Sequence, residues 1–329
     1  MNRMSRVLAC AAVLLAAFSA FGQSLVSTGT MSESVNVGYV MIPFTAIGDH
    51  GKPITDLRDA EFDLMVDGLP VRSDMFEKSQ NAPVSFTILL DGSGSMALAG
   101  KMDSARAAIG ALIAHHRPGD DFALYVFAEA KAIEVVPFTE KPADITNALA
   151  KVKPYGKTAF FDALATMPER SRLGRNPSRA IILLSDGIDN ASSITRGALA
   201  QQLQGISVPI YSLGLREPAD QIDNPKRQRP REDLSDIGLL NEVASLTGGK
   251  LYLGNTPQQI AEAVSHVEDD LRAQYLIGFA PTGKGAVKYR TISLKLNGRA
   301  RAVRVRAGYL GTEPPLVAAR NKRMERKGS

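Results

Sequence analysis

Tryptophan is absent and cysteine occurs once, at Cys10. A single cysteine makes no internal disulfide, and Cys10 sits inside an N-terminal apolar run whose removal leaves no thiol at all. Histidine is also scarce, and neither H-E-x-x-H nor G-x-x-x-x-G-K-[ST] occurs. The zinc-helix and P-loop routes to catalysis are therefore excluded as motifs. Beyond the N-terminus no stretch is long and apolar enough to span a bilayer. The chain has little net charge on its body. The excess of +5 comes from Arg3 and Arg6 and from a tail carrying Arg320, Lys322, Arg323, Arg326 and Lys327 against Glu313 and Glu325. Between these ends acids and bases balance, whereas a nucleic-acid binder is expected to carry a basic patch on its folded part.

What is present begins with an export signal. Arg3 and Arg6 precede an apolar run from Val7 to Gly22, and Ala20 and Gly22 supply small residues for cleavage before Gln23. The alternative is an uncleaved anchor, but the run is short for a span. The expected location is outside the cytoplasm: periplasmic, cell-surface or secreted.

Residues 23–82 read as β-rich. Val35, Val37 and Tyr39 alternate with small or polar residues. Phe62, Leu64 and Val66 do the same before a turn at Asp67-Gly68. From 83 to 272 the texture becomes strand, helix, strand. Strand-like runs are Val84–Leu90, Phe122–Phe127, Ala132–Val136, Ala180–Leu184, Val208–Leu213 and Lys250–Leu253. Helix-like segments are Lys101–His115, Ala143–Val152, Ala159–Met167, Thr195–Leu203, Leu234–Leu246 and Pro257–Leu271, with Pro168 expected to end or kink the third. Near-continuous Ile, Leu and Val imply strands covered on both faces, hence an α/β fold with a doubly wound, mostly parallel sheet. Alternation returns over 273–312, where Ile292, Leu294 and Leu296 lead to Asn297-Gly298, a hairpin signal, and parity shifts at Ala302-Val303, as at a bulge. A lone hairpin is marginal in water, so the two β segments are expected to pack together as one small platform. Residues 313–329, with Pro314-Pro315, read as a basic disordered tail.

Three loops carry oxygen atoms suited to a hard cation. Asp91-Gly92-Ser93-Gly94-Ser95 follows the strand-like run Val84–Leu90, Thr158 precedes a helix-like stretch, and Asp186 ends the run Ile181–Leu184. In an open parallel sheet, loops at the carboxyl ends of strands lie along one edge, where ligands bind. Alternate oxygens on a glycine-loosened loop suit magnesium, which keeps waters and leaves a position for a partner's oxygen. Each loop alone also reads as an ordinary turn.

These residues resemble the metal-ion-dependent adhesion site of the von Willebrand factor type A domain family over roughly Val84 to Arg272. The flanks V-G-Y-V, D-L-R-D-A-E-F, V-D-G-L-P-V, Q-Y-L-I-G-F and R-A-G-Y-L resemble a secreted subfamily termed acidobacterial-type. The resemblance implies Ser93, Ser95 and Thr158 as direct ligands of Mg2+ (or Mn2+ or Ca2+), with Asp91 and Asp186 acting mostly through water. It also implies a protein partner whose Asp or Glu completes the coordination. Asp189 and Asn190 suit either a supporting role there or a helix cap, and the cap is the favoured reading. After Leu213-Gly214 a long loop, Arg216 to Asp233, holds Lys226, Arg227, Arg229 and Arg231. It either frames the partner site and steers acidic surfaces, or is a solvated loop balanced in part by Glu232 and Asp233. His115-His116 reads as favourable charge at a helix end rather than a metal pair. No general base stands beside the metal loops, so an exported, non-enzymatic binding module is expected. The alternatives are an envelope scaffold whose metal site is vestigial or only stabilises the fold and, third, a metal-assisted hydrolase.

Overall fold

Unbroken burial separates the middle of the chain from its ends. The computed structural model describes residues 39–317 apart from 80–81, 130, 216–231 and 298–299. Four short strands come first: β1 (Val40–Ile47), β2 (Phe62–Val66), β3 (Leu69–Pro70) and β4 (Met75–Lys78). Then β5 (Val84–Asp91) is buried at all of its positions. Phe86, Ile88, Leu89 and Leu90 are at most 1% exposed, and each such side chain contributes about 1.5–3 kcal/mol through burial. The remaining central strands are β6 (Asp121–Phe127), β7 (Ile133–Thr139), β8 (Ser178–Ser185), β9 (Ile210–Leu215) and β10 (Leu251–Gly254). They form a six-stranded sheet in the order β10-β9-β8-β5-β6-β7, parallel except for β7 at one edge.

Helices α1 (Lys101–Ala114), α2 (Pro142–Leu149), α3 (Phe160–Ala165), α4 (Met167–Ser171), α5 (Arg196–Gln204), α6 (Glu232–Thr247) and α7 (Pro257–Arg272) connect them. One face of the sheet is covered by apolar residues of α1, α2 and α7, such as Ile109, Ile145 and Val264. Phe160, Met167, Leu199 and Leu240 of α3 to α6 cover the other. This is the doubly wound α/β arrangement expected from the aliphatic runs. The third expected helix is instead two, because Pro168 sits in the first turn of α4, where its missing N–H costs nothing. Pro137 lies within β7, which an edge strand tolerates.

The chain then returns to its first strands through β11 (Tyr275–Phe279), β12 (Lys288–Leu296), β13 (Ala302–Val305) and β14 (Gly308–Gly311). Two four-stranded sheets result, β13-β1-β11-β4 and β14-β12-β2-β3. Ile42, Phe44, Leu64, Tyr275, Ile277 and Ile292 meet between them in one core. The alternation in β2 follows directly, with Phe62, Leu64 and Val66 inward and Asp63 outward. The hairpin expected at Asn297-Gly298 is not a paired ladder among the described residues. Strand β12 pairs with β2 and β14, while β13 crosses to pair with β1. The parity shift at Ala302-Val303 is thus a change of sheet rather than a bulge.

Buried ion pairs anchor α7 at the amino-terminal edge of the parallel sheet. Arg272 Nη2 donates to Asp120 Oδ2 at 2.7 Å, with the two side chains 9% and 0% exposed. Arg304 of β13 donates to both Asp270 oxygens from its two terminal guanidinium nitrogens, one at 2.6 Å. Arg272→Ala strands the Asp120 carboxylate, and the unfolding free energy in urea is expected to fall by about 3–5 kcal/mol. Arg301→Ala, which breaks the exposed pair with Asp49, should leave the midpoint of the same titration essentially unchanged.

Candidate functional site

The sheet reverses its winding between β5 and β8. Strands β6 and β7 lie on one side and β9 and β10 on the other. Leu90 pairs in register with Leu184, so Asp91 and Ser185-Asp186 emerge side by side at the carboxyl edge. That is the crevice where open α/β sheets bind ligands.

Asp91 is fully buried. Its Oδ1 accepts from the Ser93 N–H at 2.9 Å and its Oδ2 from the Ser185 hydroxyl at 2.6 Å. The Ser93 and Ser95 hydroxyls lie 3.1 Å apart. The loop before α3 is stitched to this one by Gly94 N–H to Gly156 C=O at 3.0 Å and Tyr155 N–H to Gly92 C=O at 2.8 Å. Two glycines make the approach geometrically feasible. A Cβ on Gly92 would stand 2.7 Å from Val126 Cγ1, and Gly156 has φ +72 with Glu129 Cγ 2.4 Å from where its Cβ would be. Thr158, 2% exposed, is braced from the third loop. Its N–H donates to Asn190 Oδ1 at 2.8 Å, and its carbonyl accepts from the N–H groups of Asn190 and Ala191. Asp189 Oδ1 accepts from the Phe160 N–H at 2.9 Å, which caps α3 from outside its own segment. The cap reading of Asp189 therefore holds, and Asn190 fixes the backbone of Thr158.

Electrostatically the crevice is short of positive charge. Burial, with the neighbouring Asp186 charge adding to it, pushes the Asp91 carboxyl up to about 6, and hydrogen bonds from Ser185 and Ser93 offset only part of that. One cation is already present. Lys101 Nζ lies 2.8 Å from Asp186 Oδ2, with the two side chains 9% and 5% exposed.

Residues 86–188 match the family model of the von Willebrand factor type A domain. The chain carries a von Willebrand factor type A domain. No curated protein matches the chain. Among solved structures, a von Willebrand factor type A protein from Catenulispora acidiphila is 15% identical, covering 84% of this chain and 74% of its own, with TM-score 0.47. BatB from Bacteroides thetaiotaomicron is 22% identical over 57% and 98%, with TM-score 0.42. Proximal thread matrix protein 1 from the mussel byssus, with a zinc-occupied MIDAS motif, is 19% identical over 61% and 48%, with TM-score 0.43.

The type A domain brings its five expected oxygen residues, Asp91, Ser93, Ser95, Thr158 and Asp186, to three loops tied to one another. Their chemistry fits a small divalent ion: hydroxyls backed by two acids, with the Lys101 ammonium standing as a positive charge on one of them. Among the described residues no group of three or more His, Cys, Asp or Glu gathers anywhere, this crevice included, so its donors are chiefly hydroxyls. His115 faces Glu268 at 3.7 Å, and His116 Nδ1 contacts the Ile113 carbonyl, both at the end of α1. Lys226, Arg227, Arg229 and Arg231 lie outside the described residues. Strand β9, which precedes their loop, does end at the carboxyl edge of the domain.

Lys101 was not expected from sequence, yet a signal existed. A lysine at the first position of a helix opposes the helix dipole and needs an acid nearby. Here α1 also lacks a side-chain cap, since Gly100 occupies that position. Lys101→Met leaves Asp186 buried without its cation, so metal-free stability in a chelator-containing urea titration should drop by about 3–5 kcal/mol. Lys101→Arg should retain most of it.

Proposed function

We propose that this chain is an exported, non-enzymatic binding module whose type A domain holds a divalent cation, magnesium by preference, and uses it to capture an acidic side chain of a protein partner. One observation carries the reading: the three loops that hold Asp91, Ser93, Ser95, Thr158 and Asp186 are hydrogen-bonded to one another at the winding switch of the sheet, where the Asp91 carboxylate is buried and under-neutralised. Ser93, Ser95 and Thr158 would hold the ion directly, with Asp91 and Asp186 behind them. When bound, the ion supplies an electrophilic position that a partner's carboxylate can complete. Binding rather than catalysis is favoured because the acids at the loops are already committed, Asp91 to Ser93 and Ser185 and Asp186 to Lys101.

The Lys101–Asp186 pair supports a second reading, in which the lysine alone neutralises the crevice and the chain serves as an envelope scaffold without metal. Calorimetric titration of magnesium into the chelator-stripped protein separates the two. Saturable binding lost in Ser93→Ala/Asp186→Ala is expected. Lys101→Met should bind about tenfold tighter or better, because a competing charge at under 3 Å is gone. Absence of binding in the wild type and in Lys101→Met alike would favour the scaffold.

A further inference from the structure

Beside the metal loop the domain leaves apolar side chains uncovered. Ile133 and Tyr155 are 61% and 59% exposed and Val135 is 39% exposed. With Val126 and Val152 they line an open groove of about 470 Å³ between the edge strand β7 and the segment after α2. The metal loop packs behind residues that line it. Gly92 N–H donates to the Phe127 carbonyl at 2.7 Å, Gly92 C=O accepts from Tyr155, and Gly92 lies directly against Val126. The charged residues lining the groove are Lys151 and Lys153, both exposed, and no acid is among the lining residues. Exposed Lys157 follows in the loop that carries Thr158.

An apolar groove whose lining residues Phe127 and Tyr155 hydrogen-bond the metal loop, and which carries two lysines, matches a ligand that is acidic and apolar at once. We propose that it takes a large apolar side chain from an extended, acidic segment of the partner protein, about one to three residues from the carboxylate that reaches the metal loop. An extended segment advances about 3.3 Å per residue and presents alternate side chains to one surface, so an acid and an apolar residue two apart can enter together. The lysines would favour additional acids in the segment. This inference rests on the metal-dependent binding reading and adds the partner's chemistry to it.

Panning random heptapeptides displayed on phage against the purified full chain, with and without magnesium, tests it. The control is Ile133→Ser/Val135→Ser, whose exposed positions leave the core intact. The expected result is magnesium-dependent enrichment of peptides pairing Asp or Glu with a large apolar residue within three positions. On the control, acid enrichment should persist while the apolar preference vanishes. Synthetic copies of the selected peptides should bind the control about tenfold more weakly, as for loss of one apolar anchor, while its magnesium titration is unchanged. Lys151→Glu/Lys153→Glu should weaken them further. Acid enrichment with no apolar preference, an apolar preference unchanged in the control, or no enrichment at all would overturn the proposal. So would self-association by sedimentation that the control abolishes, since the occupant would then be a second copy of this chain. Groove-dependent enrichment that ignores magnesium would leave the groove standing and remove the metal reading.

Discussion

A carboxylate at the end of a fully buried strand needs donors or positive charge around it, because a desolvated ion left alone costs several kcal/mol. Asp91 is in that position, with Asp186 just past the end of the neighbouring strand. Much of the local structure can be understood as meeting this demand. Gly92 and Gly94 let the chain fold back so that Ser93 N–H reaches the carboxylate, and Ser185 supplies a hydroxyl from the neighbouring strand. Gly156 allows the Thr158 loop to close over Gly94. Asp189 and Asn190 then hold that loop by its backbone, which leaves the Thr158 hydroxyl out of those bonds.

The same demand explains how far the site could be read before the fold was known. Asp91, Ser93, Ser95 and Asp186 were legible because each sits where an aliphatic run stops at polar atoms, and such stops fall on one edge of a parallel sheet. Thr158 was legible from its glycine and the helix after it. Lys101 was legible only as a lysine at odds with its helix dipole, because a partner 85 positions away leaves no local pattern that names it. The groove was hidden for a related reason. Its members come from β6, β7 and the segment after α2, and an apolar residue on an edge strand looks in sequence like one on a central strand.

The two-sheet sandwich shows a comparable limit. Period-two alternation marked each strand's buried face, and the marginal stability of a lone hairpin predicted that the terminal segments share a core. It could not say which strands pair. Asn297-Gly298 favours a tight local hairpin, yet β13 leaves for the opposite sheet. There Arg304 reaches Asp270 and Arg306 reaches the carbonyls of Ile206 and Met41. Satisfying buried acids and carbonyls at the base of the α/β domain outweighed a local turn preference worth far less.

Both edges of the central sheet thus bury carboxylates, but they neutralise them with different residues. At the amino-terminal edge the partners are arginines, Arg272 on Asp120 and Arg304 on Asp270, each engaging two carboxylate oxygens. A planar guanidinium fills a carboxylate's acceptor sites and cannot lose its charge, which suits a permanent joint. At the carboxyl edge the partner is a lysine, a point charge touching one oxygen of Asp186. It pairs with Asp186 and leaves Asp91 to hydrogen bonds from Ser93 and Ser185, while the Ser93 and Ser95 hydroxyls lie against each other. An ammonium on a flexible stem can yield its place to another cation, whereas a two-pronged arginine pair resists exchange. The lysine therefore suits the cation exchange that the proposed function requires at this edge, while the arginines of the opposite edge suit a permanent joint between the sandwich and the α/β domain.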